Sequence, residues 1–112
     1  MQTFPFEIEY YKTTLDKKPF KEWLDGLCDI NGRAKIRVRL DRVRQGNLGD
    51  HKHLENGVWE LRIDYGPGYR VYYGKDDNRF VLLLIGGDKS TQRRDIETAV
   101  AYLRDYEARK EL

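Results

Sequence analysis

Apolar and polar residues alternate strictly over Phe6-Glu7-Ile8-Glu9-Tyr10, the pattern of a strand with one wet face. The period then changes. After Asp16-Lys17-Lys18-Pro19, the residues Phe20, Trp23, Leu24, Leu27 and Cys28 recur at helical spacing on one apolar stripe, and Pro19 suits a first helical turn. Its place on the stripe predicts a buried, inert thiol at Cys28. Asn31-Gly32 predicts the end of that helix. Over 33–45 two periods compete: Ala34, Ile36, Val38 and Leu40 alternate as in a strand, whereas Ile36, Leu40 and Val43 fit a helix. The stretch has no breaker, is rich in arginine and leucine and stops at Gly46, so a helix is predicted. With Asn31-Gly32 as hinge, it would pair with the first helix as an αα-hairpin.

Residues 46–57 are rich in glycine and asparagine and read as a loop. Three strand patterns follow. Val58 to Tyr65 puts Trp59, Leu61, Ile63 and Tyr65 on one face and Glu60, Arg62 and Asp64 on the other. Tyr69 to Gly74 puts Tyr69, Val71 and Tyr73 on one face and Arg70 and Tyr72 on the other. Gly66-Pro67-Gly68 is the turn between them, and Asp76-Asp77-Asn78 the next. Phe80 to Ile85 is apolar on both faces, as a central buried strand would be. Gly86-Gly87-Asp88 ends it, Ser90 or Thr91 caps the last helix, and Ile96, Ala99, Val100 and Leu103 form that helix's core stripe. The order β-αα-βββ-α predicts an α+β fold, one domain over 1–112, with a mostly antiparallel sheet packed against helices.

A length of 112 residues suits one core. No apolar run is long enough to span a membrane, Met1 to Tyr11 has no apolar stretch of signal-peptide type, and Cys28 is the only cysteine. A soluble cytoplasmic protein without an internal disulfide is expected.

The net charge is only +2, but residues 31–53 carry seven basic side chains against Asp41 and Asp50. Arg37, Arg39, Arg42 and Arg44 lie on the predicted second helix. Such an excess attracts polyphosphate; a solvated helix face is the plainer reading. Pairing Tyr65 with Tyr69 would set Asp64 opposite Arg70 and Arg62 opposite Tyr72, with both arginines on one face. Two guanidinium groups on a rigid sheet can clamp a phosphate, or form a surface salt-bridge ladder with Asp64. Gly86 to Ser90 lacks the spacing of a phosphate-binding P-loop. His51-Lys52-His53 offers two imidazoles without a second cysteine, so no metal site or cofactor is predicted, although histidine proton transfer stays open.

The run from Gly57 to Tyr73, with Glu60-Leu61-Arg62 and Gly66-Pro67-Gly68-Tyr69-Arg70-Val71-Tyr72, resembles the signature of the RelE/ParE toxin superfamily. More narrowly it resembles the phage Gp49-like, HigB-type addiction module killer proteins. The run Leu83 to Gln92, containing Gly86-Gly87-Asp88-Lys89-Ser90-Thr91, is similar to that family's second block. Asp16 to Leu24 resembles its first helix, and Gly46 to Asp50 with Lys52 its pre-strand loop.

The resemblance implies a RelE-like fold and the toxin of a type II toxin–antitoxin pair. On the RelE/HigB side the activity is metal-independent, ribosome-dependent cleavage of mRNA, which inhibits translation. The partners would be the ribosome, mRNA and a small antitoxin with a helix-turn-helix domain. By the same carry-over, Arg70 matches the arginine that contacts the scissile phosphate. Arg62 and Lys89 fall near basic positions beside it, and Lys52 belongs to the basic loop before the sheet. The carry-over gives Arg62, Arg70, Lys89 and Lys52 as the candidate catalytic set; Lys52, His51 or His53, with Tyr72 added, are the candidate acid and base. Arg37, Arg39, Arg42, Arg44, His51 and His53 are the candidates for contact with ribosome and RNA. Glu60 stands where RelE has a lysine, and RelE's C-terminal catalytic tyrosine aligns near Arg94 or Asp95. ParE relatives share the fold but inhibit DNA gyrase without cleaving nucleic acid, and a toxin homologue can also serve only as an antitoxin partner.

Overall fold

The computed structural model describes residues 5–76 and 80–110. Five strands form one sheet in the order β1-β5-β4-β3-β2: β1 Glu7–Tyr10, β2 His51–His53, β3 Trp59–Ile63, β4 Tyr69–Asp76 and β5 Phe80–Asp88. β1 runs parallel to β5, and every other neighbouring pair is antiparallel. Helices α1 (Pro19–Asp25) and α2 (Ile30–Arg44) cover one face, and α3 (Gln92–Lys110) covers the other. The fold is mixed α+β, as the order of elements predicts, with one strand more than expected.

That strand is β2, inside the predicted 46–57 loop. His-Lys-His has no apolar alternation because all three side chains of this edge strand are exposed. β5 is an interior strand as expected, but the middle of the sheet is β4.

Two cores follow from the two faces. Phe20, Leu24, Ile36, Leu40 and Val43 pack on Leu61, Ile63, Val71, Tyr73, Val81 and Leu83 beneath α1 and α2. Val58, Tyr72, Leu82 and Leu84 meet Ala99, Val100 and Leu103 of α3. A bulge between Tyr72 and Tyr73 lets β5 send both Leu84 and Ile85 towards α3. Each large apolar side chain buried in this way contributes about 1.5–3 kcal/mol.

The N-terminal helices differ from expectation at their junction. α1 stops at Asp25, so Leu27 is only half-buried and Cys28 is exposed rather than buried. Asn31-Gly32 does not end α1 but lies in the first turn of α2, capped by Asp29, which accepts the Gly32 N–H at 2.9 Å. The same carboxylate accepts the Tyr69 hydroxyl at 2.8 Å. Glycine is needed at 32 because a Cβ there would press on the Asp29 carboxylate and the Tyr69 ring. α1 packs over β5 and α2 over β3, so each helix rests on the sheet and no tight hairpin forms. At its other end α2 closes with the Gly46 N–H on Val43 and the Asn47 N–H on Arg42, Gly46 taking φ +91°.

Two further expectations change. Gly86 and Gly87 are strand residues, not a terminator. A Cβ at Gly86 would run into the Trp23 ring, and one at Gly87 into the Asp95 carboxylate, so both mark close packing across β5. The cap ahead of α3 is Asp88, not Ser90 or Thr91: it accepts the Ser90 N–H at 2.8 Å, with Thr91 returning the bond to its backbone. The turn predicted at Asp76-Asp77-Asn78 lies partly outside the described residues. Among those described, no helix is long and apolar enough to cross a membrane.

Candidate functional site: an arginine pair over a buried carboxylate

The register of β3 and β4 differs by two residues from the expected one. Ile63 pairs with Tyr69 and Arg62 directly with Arg70, because the chain leaves β3 before Asp64 and makes a wider turn with Gly66 and Gly68 at φ +57° and +80°. An even shift preserves the faces, so Arg62 and Arg70 share one face as predicted, and that face is the α3 side of the sheet. The Asp64–Arg70 and Arg62–Tyr72 pairings do not form.

What lies between the arginines is Glu60, two residues along β3 from Arg62. Its side chain is 0% exposed. Glu60 Oε1 accepts Arg62 Nε at 2.9 Å and Oε2 accepts Gln92 Nε2 at 2.8 Å, while Arg70 Nε stands 3.9 Å from Oε2. The hydrogen bond to Glu60 raises the pKa of Arg62 further, fixing its charge. The Arg62 side chain is 37% exposed and that of Arg70 13%. Arg70 Nη1 donates to the backbone carbonyls of Gly68 and Tyr69 at 3.1 and 3.3 Å. The arginines are therefore built into the sheet as a rigid pair, one reaching solvent and one mostly beneath it.

Lys52 pairs with Glu60, and Glu60 with Tyr72, giving a row across β2, β3 and β4 next to the Arg62–Arg70–Gly87 row. Lys52 is exposed on the sheet edge of this face. Lys89 follows β5 and is exposed; a side chain at Gly68 would lie 3.4 Å from Arg70 Nη1 and 3.5 Å from Lys89 Cβ. Gly68 thus lies between Arg70 and Lys89, and its φ of +80° is what favours glycine there. Tyr72 is the predicted site residue that lies deepest, at 0% exposure. Burial, and then the Glu60 charge, push its pKa upward, so its proton is held.

His51 and His53 fall on the opposite face. Their rings lie 5.8 and 4.7 Å from that of Trp59, with Lys75 Nζ 4.2 Å over the same indole. Neither histidine joins the arginine pair. Among the described residues no group of three or more His, Cys, Asp or Glu is placed to hold a metal ion.

The basic residues of α2 also separate. Arg39 is a structural clamp: Nη1 donates to Arg62 O at 2.6 Å, Nη2 to Leu48 O at 3.0 Å and Asp50 O at 2.7 Å. Burial lowers its pKa. Arg37 lies 3.5 Å from Asp25, and Arg44 bonds Asp41 at 2.7 Å. Arg42 is exposed and joins Lys35 on the rim of a groove of about 340 Å³ floored by Val38 and Ile63, on the far layer from the arginine pair.

Sequence reasoning did not single out Glu60 or Gln92 as site residues. The signal for Glu60 was present: a carboxylate two positions from an arginine on one strand shares its face. Gln92 comes from a helix packed across the sheet, a placement no local spacing reveals.

The arrangement defines an α+β protein that presents paired guanidinium groups on one face of a mostly antiparallel sheet. The chain belongs to the phage-derived Gp49-like (DUF891) family, whose sequence profile matches residues 22–104. An uncharacterized protein of Haemophilus influenzae Rd is 49% identical over 88 residues, 79% of this chain and 86% of its own length.

Proposed function

We propose that the protein is the toxin of a type II toxin–antitoxin module, a RelE-like single domain of the HigB type acting in the cytoplasm as a metal-independent, ribosome-dependent mRNA endoribonuclease. The observation that carries this reading is the direct Arg62–Arg70 pairing over buried Glu60, with Lys52 and Lys89 on either side. Such a pair is a place for a phosphodiester.

In the reaction, the RNA 2′-hydroxyl attacks the adjacent phosphorus, a 2′,3′-cyclic phosphate forms and the 5′-oxygen leaves. Arg62, with Arg70 and Lys89, stabilises charge growing on the non-bridging oxygens. One group must take the 2′ proton and another return a proton to the leaving oxygen. Lys52 is the exposed titratable group in the row beside the arginines; Tyr72 is buried and the histidines face away. A site so sparsely equipped relies on the ribosome to hold the mRNA in line, a contribution of several kcal/mol. The exposed basic residues of α2, Lys35 and Arg42 foremost, would meet ribosomal RNA, and a small helix-turn-helix antitoxin would neutralise the toxin.

The test is primer extension on mRNA from translating ribosomes supplied with the purified protein. New 5′ ends with wild type and none with Arg70→Ala support the reading. Intact mRNA together with inhibited gyrase supercoiling would replace it with a ParE-type activity. Intact mRNA with unaffected gyrase would leave a toxin homologue that serves its antitoxin alone.

A further inference from the structure

Glu60 is the most deeply buried charged side chain among the described residues. Both its oxygens are occupied, Oε1 by Arg62 Nε and Oε2 by Gln92 Nε2. Arg62 is bonded to Glu60 through Nε rather than through its two terminal nitrogens, and its side chain is 37% exposed. Arg70 Nε is buried and without a hydrogen-bond acceptor, its nearest carboxylate oxygen being Glu60 Oε2 at 3.9 Å.

A buried ion pair is a poor device for stability, since an apolar side chain of similar size commonly does as well. Two arginines directly opposed on a sheet are unfavourable in themselves. What the carboxylate supplies is orientation. A side-on carboxylate would have taken Nε and one terminal nitrogen together and blunted the fork; Glu60 takes Nε and spares both. With no exposed surface, it cannot itself meet a ribose hydroxyl.

We infer that Glu60 is the positioning residue of the arginine pair and Gln92 its brace, so that the first turn of α3 sets the aim of the Arg62 fork. The inference rests on the phosphodiester reading of the same site.

A glutamine has one acceptor oxygen where the carboxylate has two. In Glu60→Gln the amide oxygen can still accept from Arg62 Nε and the NH₂ can donate to a turned-over Gln92 amide, but the acceptor is now neutral, so Arg62 and Arg70 lose the charge that holds them. When Glu60→Gln is combined with Gln92→Glu, the introduced amide accepts from Arg62 Nε and donates to the introduced carboxylate. The carboxylate polarises the amide and the charge-assisted hold on Arg62 returns, with the charge moved one residue outward. A group that acts chemically would not be rescued by that exchange; a positioning group would.

The experiment follows Glu60→Gln, Gln92→Glu and the double variant. It measures affinity for a 2′-O-methyl RNA oligonucleotide, which cannot be cleaved, the rate of mRNA cleavage on ribosomes, and hydrogen exchange of the Arg62 Nε–H by NMR. In Glu60→Gln, oligonucleotide affinity should hold or rise, because a negative charge has left the arginines. Cleavage should fall by on the order of 100-fold from misaimed groups. The double variant should regain most of that rate. The Arg62 Nε–H should exchange slowly in wild type and the double variant, and fast in Glu60→Gln. If Glu60→Gln fails to fold, Gln92→Ala, which removes the brace without adding charge, should hold oligonucleotide affinity while the cleavage rate falls. A folded double variant as slow as Glu60→Gln, or wild-type cleavage by Glu60→Gln, would overturn the inference. Should wild type cleave nothing, the nuclease reading fails; the NMR exchange pattern then decides the positioning role by itself, and fast Arg62 exchange in wild type sinks it.

Discussion

Arg62 and Arg70 face each other directly across β3 and β4, and the nearest counter-charge is a carboxylate with no exposed surface. Like charges so opposed weaken a sheet. The pair is therefore a feature that stability alone does not account for, and its two members are not equivalent. Arg70 is mostly buried and tied to two backbone carbonyls, whereas Arg62 reaches solvent.

Arg70→Ala should abolish cleavage and also lower stability by about 1–3 kcal/mol, because buried carbonyls lose a charged donor. Arg70→Lys should retain the charge, lose the planar fork and remain strongly impaired. Primer extension on ribosomes gives the activity, and urea unfolding gives the stability. A folded Arg70→Ala variant cleaving at the wild-type rate would remove Arg70 from the site.

Arg39 is predicted to matter for the fold rather than for contact with RNA. Its guanidinium joins the 48–50 segment to Arg62 O at the end of β3. Arg39→Ala leaves several acceptors short of a charged donor and should cost about 1.5–3 kcal/mol in urea unfolding. Arg42→Ala, on an exposed side chain, should shift the midpoint hardly at all. Equal midpoints for the two variants would contradict the assignment.

Much of this was legible in the order of residues. Alternation over 58–65 and 69–74 placed both arginines on one face, and because the register error was even, the faces stayed right while the partners changed. Turn length was the missing quantity: Gly66-Pro67-Gly68 suggested a three-residue connection, while β3 in fact ends at Ile63. Glycine misled at two places for one reason. Asn31-Gly32 and Gly86-Gly87 look like punctuation, yet each glycine makes room for a side chain from another element: Tyr69 beside Gly32, Trp23 beside Gly86 and Asp95 by Gly87. Cys28 continued an apolar stripe beyond the point where its helix stops. Where the site departs from local pattern, at Glu60 and Gln92, the bond spans β3 and α3.

Three tyrosine–aspartate bonds contribute to both pH limits of stability, alongside buried Tyr72 and Tyr73 on the alkaline side and Asp25 and Asp88 on the acid side. Tyr11 donates to Asp105 at 2.5 Å, Tyr69 to Asp29 at 2.8 Å and Tyr106 to Asp76 at 2.6 Å. Each aspartate has its pKa lowered below the ordinary 3.8: Asp105 chiefly by the tyrosine, Asp29 by the Gly32 N–H and then the tyrosine, Asp76 by Lys110 and then the tyrosine. Their stabilisation is present above the unfolded value and disappears as pH falls through the lowered one. The tyrosines run the other way: burial, then the carboxylate, pushes each from 10.0 up to about 12. The unfolded chain loses those protons first, so stability is present below pH 10.0 and declines as pH rises towards 12. Melting temperature should be flat between about pH 5 and pH 9 and drop on both sides. Asp29→Asn should lower the plateau and soften both limbs; a limb unchanged by it would assign that limb to other groups.

Lys35 and Arg42 are the α2 cations best placed to reach a nucleic acid. Arg39 is spent on backbone carbonyls, Arg44 is held by Asp41, and Arg37 leans towards Asp25. Lys35 lies 5.0 Å over the Tyr65 ring and shares with Arg42 the rim of the groove above Val38, leaving their charges turned to solvent. If α2 binds ribosomal RNA, each phosphate it neutralises releases counterions and steepens the salt dependence of binding. Replacing both Lys35 and Arg42 by alanine should weaken ribosome binding at low salt and reduce the slope of log affinity against log salt by about 1.5–2. The Arg62–Arg70 pair lies on the far layer, so the affinity of the isolated protein for a 2′-O-methyl RNA oligonucleotide should change much less than ribosome affinity. An unaltered salt slope, with binding to the antitoxin lost instead, would turn this groove from an RNA contact into a protein contact. It would also move the ribosome surface to the edge carrying Lys52.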